Sequence, residues 1–101
     1  MPKIAATFPS GGTIKRNTTK GYTHGWQVRW RRPLNAEGKP VNSDGILMSD
    51  AIGGEGGFAS SQELAAKAAA TVANRIRNLP GHNGSKYEVF EEEVALVKIV
   101  G

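Results

Sequence analysis

The chain has no cysteine, few aromatic residues and no long apolar run, and each absence excludes a class of protein. Without cysteine, neither disulfide bonds nor thiolate metal sites can form. No apolar stretch has the length of a secretory signal or a membrane span, so we expect a soluble, cytoplasmic protein without a membrane partner. The 101 residues, 39% of them hydrophobic, predict a single domain over 1–101 with a modest core.

Acidic residues are also absent from the first part of the chain, where the first acid is Glu37. The basic residues of that part are Lys3, Lys15, Arg16, Lys20, Arg29, Arg31 and Arg32. Near the other end, Glu88 and the run Glu91–Glu93 make the chain acidic, although the net charge is +4. The asymmetry predicts a basic face and an acidic edge. Alternatively, the two ends pair in one sheet and neutralise each other.

The clearest strand is predicted over Tyr22–Arg32. Within it, one set of alternate residues is Trp26, Val28 and Trp30, and the other is Gln27, Arg29 and Arg31. Successive side chains of a strand point to opposite faces, so this pattern indicates a half-buried strand. We expect the indoles to face the core and the polar set to face solvent.

The remaining chain predicts further extended segments and a long loop. Residues 33–57 form a polar, Gly-rich loop region, and we expect its last part, Asp50–Gly57, to be mobile or tightly turned. A short strand is possible inside that region. The extended segments are Lys3–Phe8, Thr13–Thr19, Ile46–Met48 and Lys86–Val100.

A single alanine-rich helix is predicted over Ser60–Leu79. Ser60 and Glu63 match a capping box, and Pro80 ends the pattern. One apolar stripe comprises Leu64, Ala68, Val72, Ile76 and Leu79. The fold class is therefore α+β: a small antiparallel sheet of three to five strands, in the order β-β-β-α-β, covered on one face by this helix.

No catalytic, metal or cofactor motif is recognisable, so we expect a protein that is not an enzyme and has no cofactor. His24 and His82 are isolated beside glycines, whereas a zinc site needs several ligands at recognised spacings. The glycines of 53–57 precede a helix, as in a phosphate-binding loop. However, the Gly-Lys-Ser/Thr ending is missing, and Glu55 places a negative charge where phosphate would bind.

The basic strand supports a first hypothesis, a DNA-binding module. A β-ribbon fits the major groove of duplex DNA, where arginine pairs with guanine and glutamine with adenine. Contacts to the duplex would come from Gln27, Arg29, Arg31 and Arg32, and phosphate contacts from Lys15, Arg16 and Lys20. The competing interpretation is an ordinary exposed strand, since charged residues alternate with core residues in any such strand.

A family resemblance covers about residues 22–79. The segment Gly25–Arg31 (Gly-Trp-Gln-Val-Arg-Trp-Arg), a polar loop, and the helix start Gly57–Ala65 resemble the N-terminal arm-type DNA-binding domain of phage and transposon tyrosine recombinases. The resemblance implies a three-stranded sheet on one helix whose free face enters the major groove. It implies DNA-contacting roles for Gln27, Arg29 and Arg31, and a core position for Phe58.

A second hypothesis is a small phage or bacterial protein-interaction module, which binds a host protein or is part of a virion. The basic face would then contact an acidic protein surface. Alternatively, the strand Val94–Val100 would pair edge to edge with a partner, including a second copy in a homodimer. If Glu91–Glu93 cross the basic face, the arrangement favours this second hypothesis. If the protein is encoded by a phage, we expect it in the host cytoplasm.

Overall fold

The computed structural model describes residues 2–100, so the terminal positions of the domain predicted over 1–101 lie outside the described residues. Within that range the protein is α+β, with one helix and a five-stranded antiparallel sheet, as the sequence predicts. Four strands rather than three precede the helix. The elements are β1 (Lys3–Thr7), β2 (Thr13–Asn17), β3 (His24–Arg31), β4 (Ile52–Ala59), α1 (Gln62–Arg77) and β5 (Glu88–Ile99).

The sheet has the strand order β2-β1-β5-β3-β4 and curves into an incomplete barrel that is open between β2 and β4. The 12-residue β5 is long enough to pair with β3 along part of its length and with β1 along the rest. Its residues Glu88–Leu96 pair with β3, and Val97–Ile99 pair with β1. The prediction that Val94–Val100 forms an edge strand is therefore wrong, because β5 occupies the centre of the sheet.

The two faces of β3 differ as the alternation predicts. Trp26, Val28 and Trp30 are buried beneath α1, and we call this side of the sheet the helix face. We call the opposite side, which carries Gln27 and Arg29, the concave face. Burying an apolar side chain of this size stabilises a fold by about 1.5–3 kcal/mol, so these three residues anchor the core.

Helix α1 presents a different stripe from the predicted one. Its buried residues are Ala65, Ala69, Val72, Ala73 and Ile76. Leu64 and Leu79 are 51% and 38% exposed. The two indoles of β3 already fill the space above the sheet, so the helix turns its small alanines toward them and its outer leucines toward solvent.

The helix begins one residue later than the capping box predicts. Ser61 is the N-cap, and its hydroxyl accepts a hydrogen bond from the Leu64 amide at 3.1 Å. Ser60 precedes the cap and is exposed. The two adjacent serines offered two registers, and packing of the alanine stripe on the indoles selects the second.

The glycine-rich stretch is a strand, which overturns the prediction that Asp50–Gly57 is mobile or tightly turned. All eight residues of β4 pair with β3 in an unbroken register. On the helix face, a Cβ at Gly53 would clash with the Trp30 indole, and one at Gly57 would lie 2.9 Å from Trp26 Nε1. Glycine is thus required because the indoles lie directly over these positions.

The rest of the predicted loop region folds without a strand at Ile46–Met48. Leu47 forms an isolated bridge with Val41, whose side chain is fully buried. Asn42 organises the turn, since its side-chain oxygen accepts from the amides of Asp44 and Ile46. Three apolar residues are too few for a ladder where no neighbouring strand is available.

The close packing at Gly53 predicts a contrast between two neighbouring glycines. Gly53→Ala should lower the free energy of unfolding by about 1–3 kcal/mol, because the new methyl group displaces the Trp30 indole. Gly54→Ala is the matched control, since its Cβ would meet nothing closer than 3.5 Å. Its effect should stay below about 1 kcal/mol. Equal losses in urea unfolding would contradict this packing.

The observed cap predicts that Ser61→Ala lowers the free energy of unfolding by about 0.5–2 kcal/mol, because the Leu64 amide loses its acceptor. Ser60→Ala should change it by less than about 0.5 kcal/mol. Urea unfolding followed by circular dichroism measures both variants. The reverse order of losses would place the cap at Ser60.

Candidate binding surface

Gln27 lies on the concave face but is not exposed. Its side chain is covered by the β1–β2 turn, and only 7% of the residue is accessible. Its Nε2 donates to Ser10 Oγ at 3.1 Å and to Glu93 Oε2 at 3.2 Å. The expectation that Gln27 faces solvent is wrong, because the hairpin folds back over the concave face and Gly12 lies against the glutamine amide.

Arg29 is held by an acid of the neighbouring strand. It lies opposite Glu91 in the β3–β5 register. Its Nε and Nη2 donate to the two carboxylate oxygens at 2.6 and 2.8 Å, a bidentate pair. The hydrogen bonds from Arg29 lower the pKa of Glu91 against the opposing effect of burial, and the same contact raises the pKa of Arg29.

Arg31 and Phe90 continue this arrangement toward the end of β3. Arg31 Nη1 lies 3.4 Å from Glu88 Oε1, but both side chains are more than half exposed, so the pair contributes little to stability. A bulge in the β3–β5 ladder between Arg29 and Trp30 leaves Phe90 of β5 without a register partner, and its ring lies beside the two arginines of β3. Its ring centroid lies 5.5 Å from Arg29 Cζ and 4.6 Å from Arg31 Cζ, within cation–π distance.

The concave face of β3 is therefore charge-balanced. Arg29 and Arg31 lie opposite glutamates of β5, so the basic and acidic parts of the chain neutralise each other here, as in the alternative that the sequence leaves open. Arg32 also has an internal partner, because its Nε donates to the Asp50 carbonyl at 3.0 Å. Of the four residues predicted to contact the duplex, Gln27, Arg29 and Arg32 have internal partners, whereas Arg31 has only a weak, exposed pair.

Strand β2 and the residues just after it differ, because their cations have no acidic partner in the described part of the chain. Lys15, Arg16 and Lys20 are exposed. None of them takes part in an ion pair between residues 2 and 100. These three residues form what we call the β2 patch, and they are the predicted phosphate contacts. They lie apart from the arginines of β3, which lie opposite glutamates of β5.

Arg16 reaches across the opening of the barrel to β4. Its Cζ lies 5.7 Å from the Tyr22 ring centroid and 5.4 Å from that of Phe58. The two rings stack with centroids 5.8 Å apart. Phe58 is half-buried and opposite Gly25, on the concave face. The core position under α1 that the family resemblance implied for Phe58 is therefore wrong.

A groove follows the opening between β2 and β4. One recess of about 260 Å³ is lined by residues 14–16 and 56–58. An adjoining recess of about 220 Å³ shares Ile14 and Gly56 and extends along β4 to Gly54 and Arg29. No sequence pattern directly indicates this groove. The nearest signal, four glycines within five residues, predicts a loop instead.

Neither a group of metal ligands nor a membrane-spanning helix is found among residues 2–100. Between residues 2 and 100, no three His, Asp or Glu side chains are grouped as metal ligands would be. No described helix combines the length and apolar character needed to cross a bilayer. The chain matches no protein-family model, and neither curated proteins nor solved structures show significant similarity to it.

The Arg29–Glu91 pair predicts a pH-dependent contribution to stability. Because the folded-state pKa of Glu91 is lowered, its contribution is complete above the unfolded-state value of about 4.3 and is lost as pH falls through the lower folded value. Glu91→Gln should therefore be less stable than the wild type near pH 7. The difference should shrink as the pH falls below about 4.

Urea midpoints measured across this pH range provide the test. Glu37→Gln is the control, because it removes a carboxylate that is 74% exposed in the loop. Its stability should follow that of the wild type at every pH. A Glu91→Gln difference that stays constant down to pH 3 would contradict the assigned role of the pair.

Proposed function

We propose that the protein is a non-catalytic binding module whose β2 patch holds an acidic segment of another protein. One observation carries the proposal: Lys15, Arg16 and Lys20 are exposed and have no acidic partner among residues 2–100, whereas Arg29 and Arg32 are bound to internal acceptors. Unpaired surface cations attract an acidic partner and accelerate its association. The groove beside them gives the partner a defined place to bind.

The surroundings of the β2 patch favour a polypeptide over duplex DNA. Phosphates that approached β3 would meet Glu88 and Glu91, which lie beside its arginines. Affinity for duplex DNA increases with the number of phosphates that cations neutralise, and the β2 patch supplies three cations. The groove is also lined by Ile14 and Phe58, which suit side chains of a polypeptide better than a phosphate backbone.

Duplex DNA is the second candidate. It is supported by the same exposed cations of β2 and by Arg31, which is 57% exposed. Such binding would involve phosphates rather than base edges, because Gln27 and Arg29 have internal partners. We therefore expect any DNA affinity to be independent of sequence and to fall steeply with salt.

A charge-removal experiment tests the proposal. The probe is a fluorescein-labelled peptide that alternates glutamate and valine, and binding is followed by anisotropy. Lys15→Ala/Lys20→Ala should weaken binding about 3- to 10-fold, because each exposed charge pair contributes up to about 1 kcal/mol. The matched control is Lys67→Ala/Lys86→Ala, which removes two exposed lysines elsewhere and should leave affinity unchanged.

Two further probes separate the candidates. A peptide that alternates lysine and valine should not bind. A labelled duplex should bind more weakly than the acidic peptide at about 0.15 M salt, where exposed charges are screened beyond about 8 Å. Tighter binding of the duplex, lost in Lys15→Ala/Lys20→Ala, would replace the proposal by the DNA candidate. Equal losses in both double variants would show that net charge alone governs binding.

A further inference from the structure

We infer that the acidic segment binds as an added β-strand along the free edge of β4, an inference that rests on the proposed function. Among residues 2–100, β4 pairs with β3 alone and forms one end of the sheet. A strand at the edge of a sheet presents unpaired backbone groups to any extended chain that reaches it. The open side of the barrel therefore contains a ready template.

The hydrogen-bond pattern identifies the free backbone groups. Arg32 N donates to Ala51 O at 2.9 Å. Arg32 and Ala51, in the register that continues β3 and β4, therefore form a hydrogen-bonded pair. Such pairs alternate along an antiparallel ladder. Gly53, Glu55 and Gly57 thus point their backbone groups toward β3. The amides of Gly54, Gly56 and Phe58 point away from it, toward the groove.

The two edges of the sheet are protected to different degrees. Edge strands usually carry lysine, proline or a bulge that discourages pairing, and β2 carries Lys15 and Arg16. Strand β4 has none of these, and its register with β3 is regular. Its one charged residue, Glu55, is neutralised by Arg75, whose Nη2 lies 2.8 Å from Oε1. Nothing on β4 itself opposes an added strand.

The charge of the groove specifies the partner. Lys15 and Arg16 line the same recess as Gly56 and Phe58, so an added strand would lie beside two unpaired cations. The stretch from Gly54 to Phe58 spans about 13 Å in a strand, enough for a segment of about five residues. Alternate side chains of that segment would share the concave face with Arg16, whereas Lys15 points to the opposite face of β2, so we assign acidic residues to the concave-face positions.

A second copy of the chain suits this edge less well. Each chain carries a net charge of +4. Pairing of two β4 edges would bring two β2 patches into the same region, where like charges repel. An acidic segment removes that repulsion and neutralises the rim of the groove. The occupant is therefore an acidic extended peptide rather than another β4.

A proline at Gly54 tests the role of the edge. Gly54→Pro removes an amide that faces away from β3, and proline is tolerated on edge strands for that reason. Gly54→Ala keeps the amide and its Cβ meets nothing closer than 3.5 Å, so it is the matched control. Affinity for the alternating glutamate–valine peptide should fall at least about tenfold in Gly54→Pro and clearly less in Gly54→Ala, which keeps the edge amide.

Peptide variants give a readout that does not depend on how well Gly54→Pro folds. N-methylation at one set of alternate positions should abolish binding to the wild-type protein, because those amides face β4. N-methylation at the other set should leave binding in place. Sedimentation of the wild-type protein without peptide should show a monomer.

The outcomes separate the failure of this inference from that of the proposed function. If the peptide binds through the β2 patch but tolerates Gly54→Pro and both methylated sets, strand addition is overturned while the proposed function stands. If no acidic peptide binds, the proposed function fails. If the wild-type protein is a dimer that Gly54→Pro dissociates, the occupant of the edge is a second copy, and the acidic peptide is excluded.

Discussion

The antiparallel pairing of β3 with β5 is the interaction on which the rest of the structure depends. It joins the basic and acidic parts of the chain, with Arg29 opposite Glu91, and places β5 at the centre of the sheet. The register also determines which side chains of β3 and β5 share a face of the sheet. With Trp26, Val28 and Trp30 on the helix face, Arg29 and Arg31 meet Glu91 and Glu88 on the concave face.

The indoles that fill the core also determine the character of β4. Trp26 and Trp30 occupy the space above the neighbouring strand, so Gly57 and Gly53 must lack side chains there. Glycine weakens a strand, and β4 depends on its ladder with β3 and on α1 for its order. A strand rich in glycine also has few side chains that could hinder a chain approaching its edge. The glycines that border the groove on the concave face, Gly54 and Gly56, are not those that the indoles require.

Charge alone was a poor guide to the binding surface. Seven basic residues precede residue 33, yet the arginines of β3 lie opposite Glu88 and Glu91, and Arg32, just after β3, donates to the carbonyl of Asp50. Among residues 2–100, the cations of the β2 patch lie on or just after β2, where no acidic strand is adjacent, and they have no acidic partner. Composition counts charges, whereas binding depends on which of them remain unpaired after the strands have found their neighbours.

The sequence by itself determined the α+β class, the helix and the alternation of β3, because these follow from local periodicity and helix propensity. Sequence patterns did not reveal that β4 is a strand, that Ser61 rather than Ser60 caps α1, or that Gln27 is buried. Each of these depends on a partner distant in the chain: the indoles of β3, the packing of α1, and the turn of the β1–β2 hairpin. Tertiary structure decided them because strand order and register bring distant residues into contact, and no local pattern encodes which strands become neighbours.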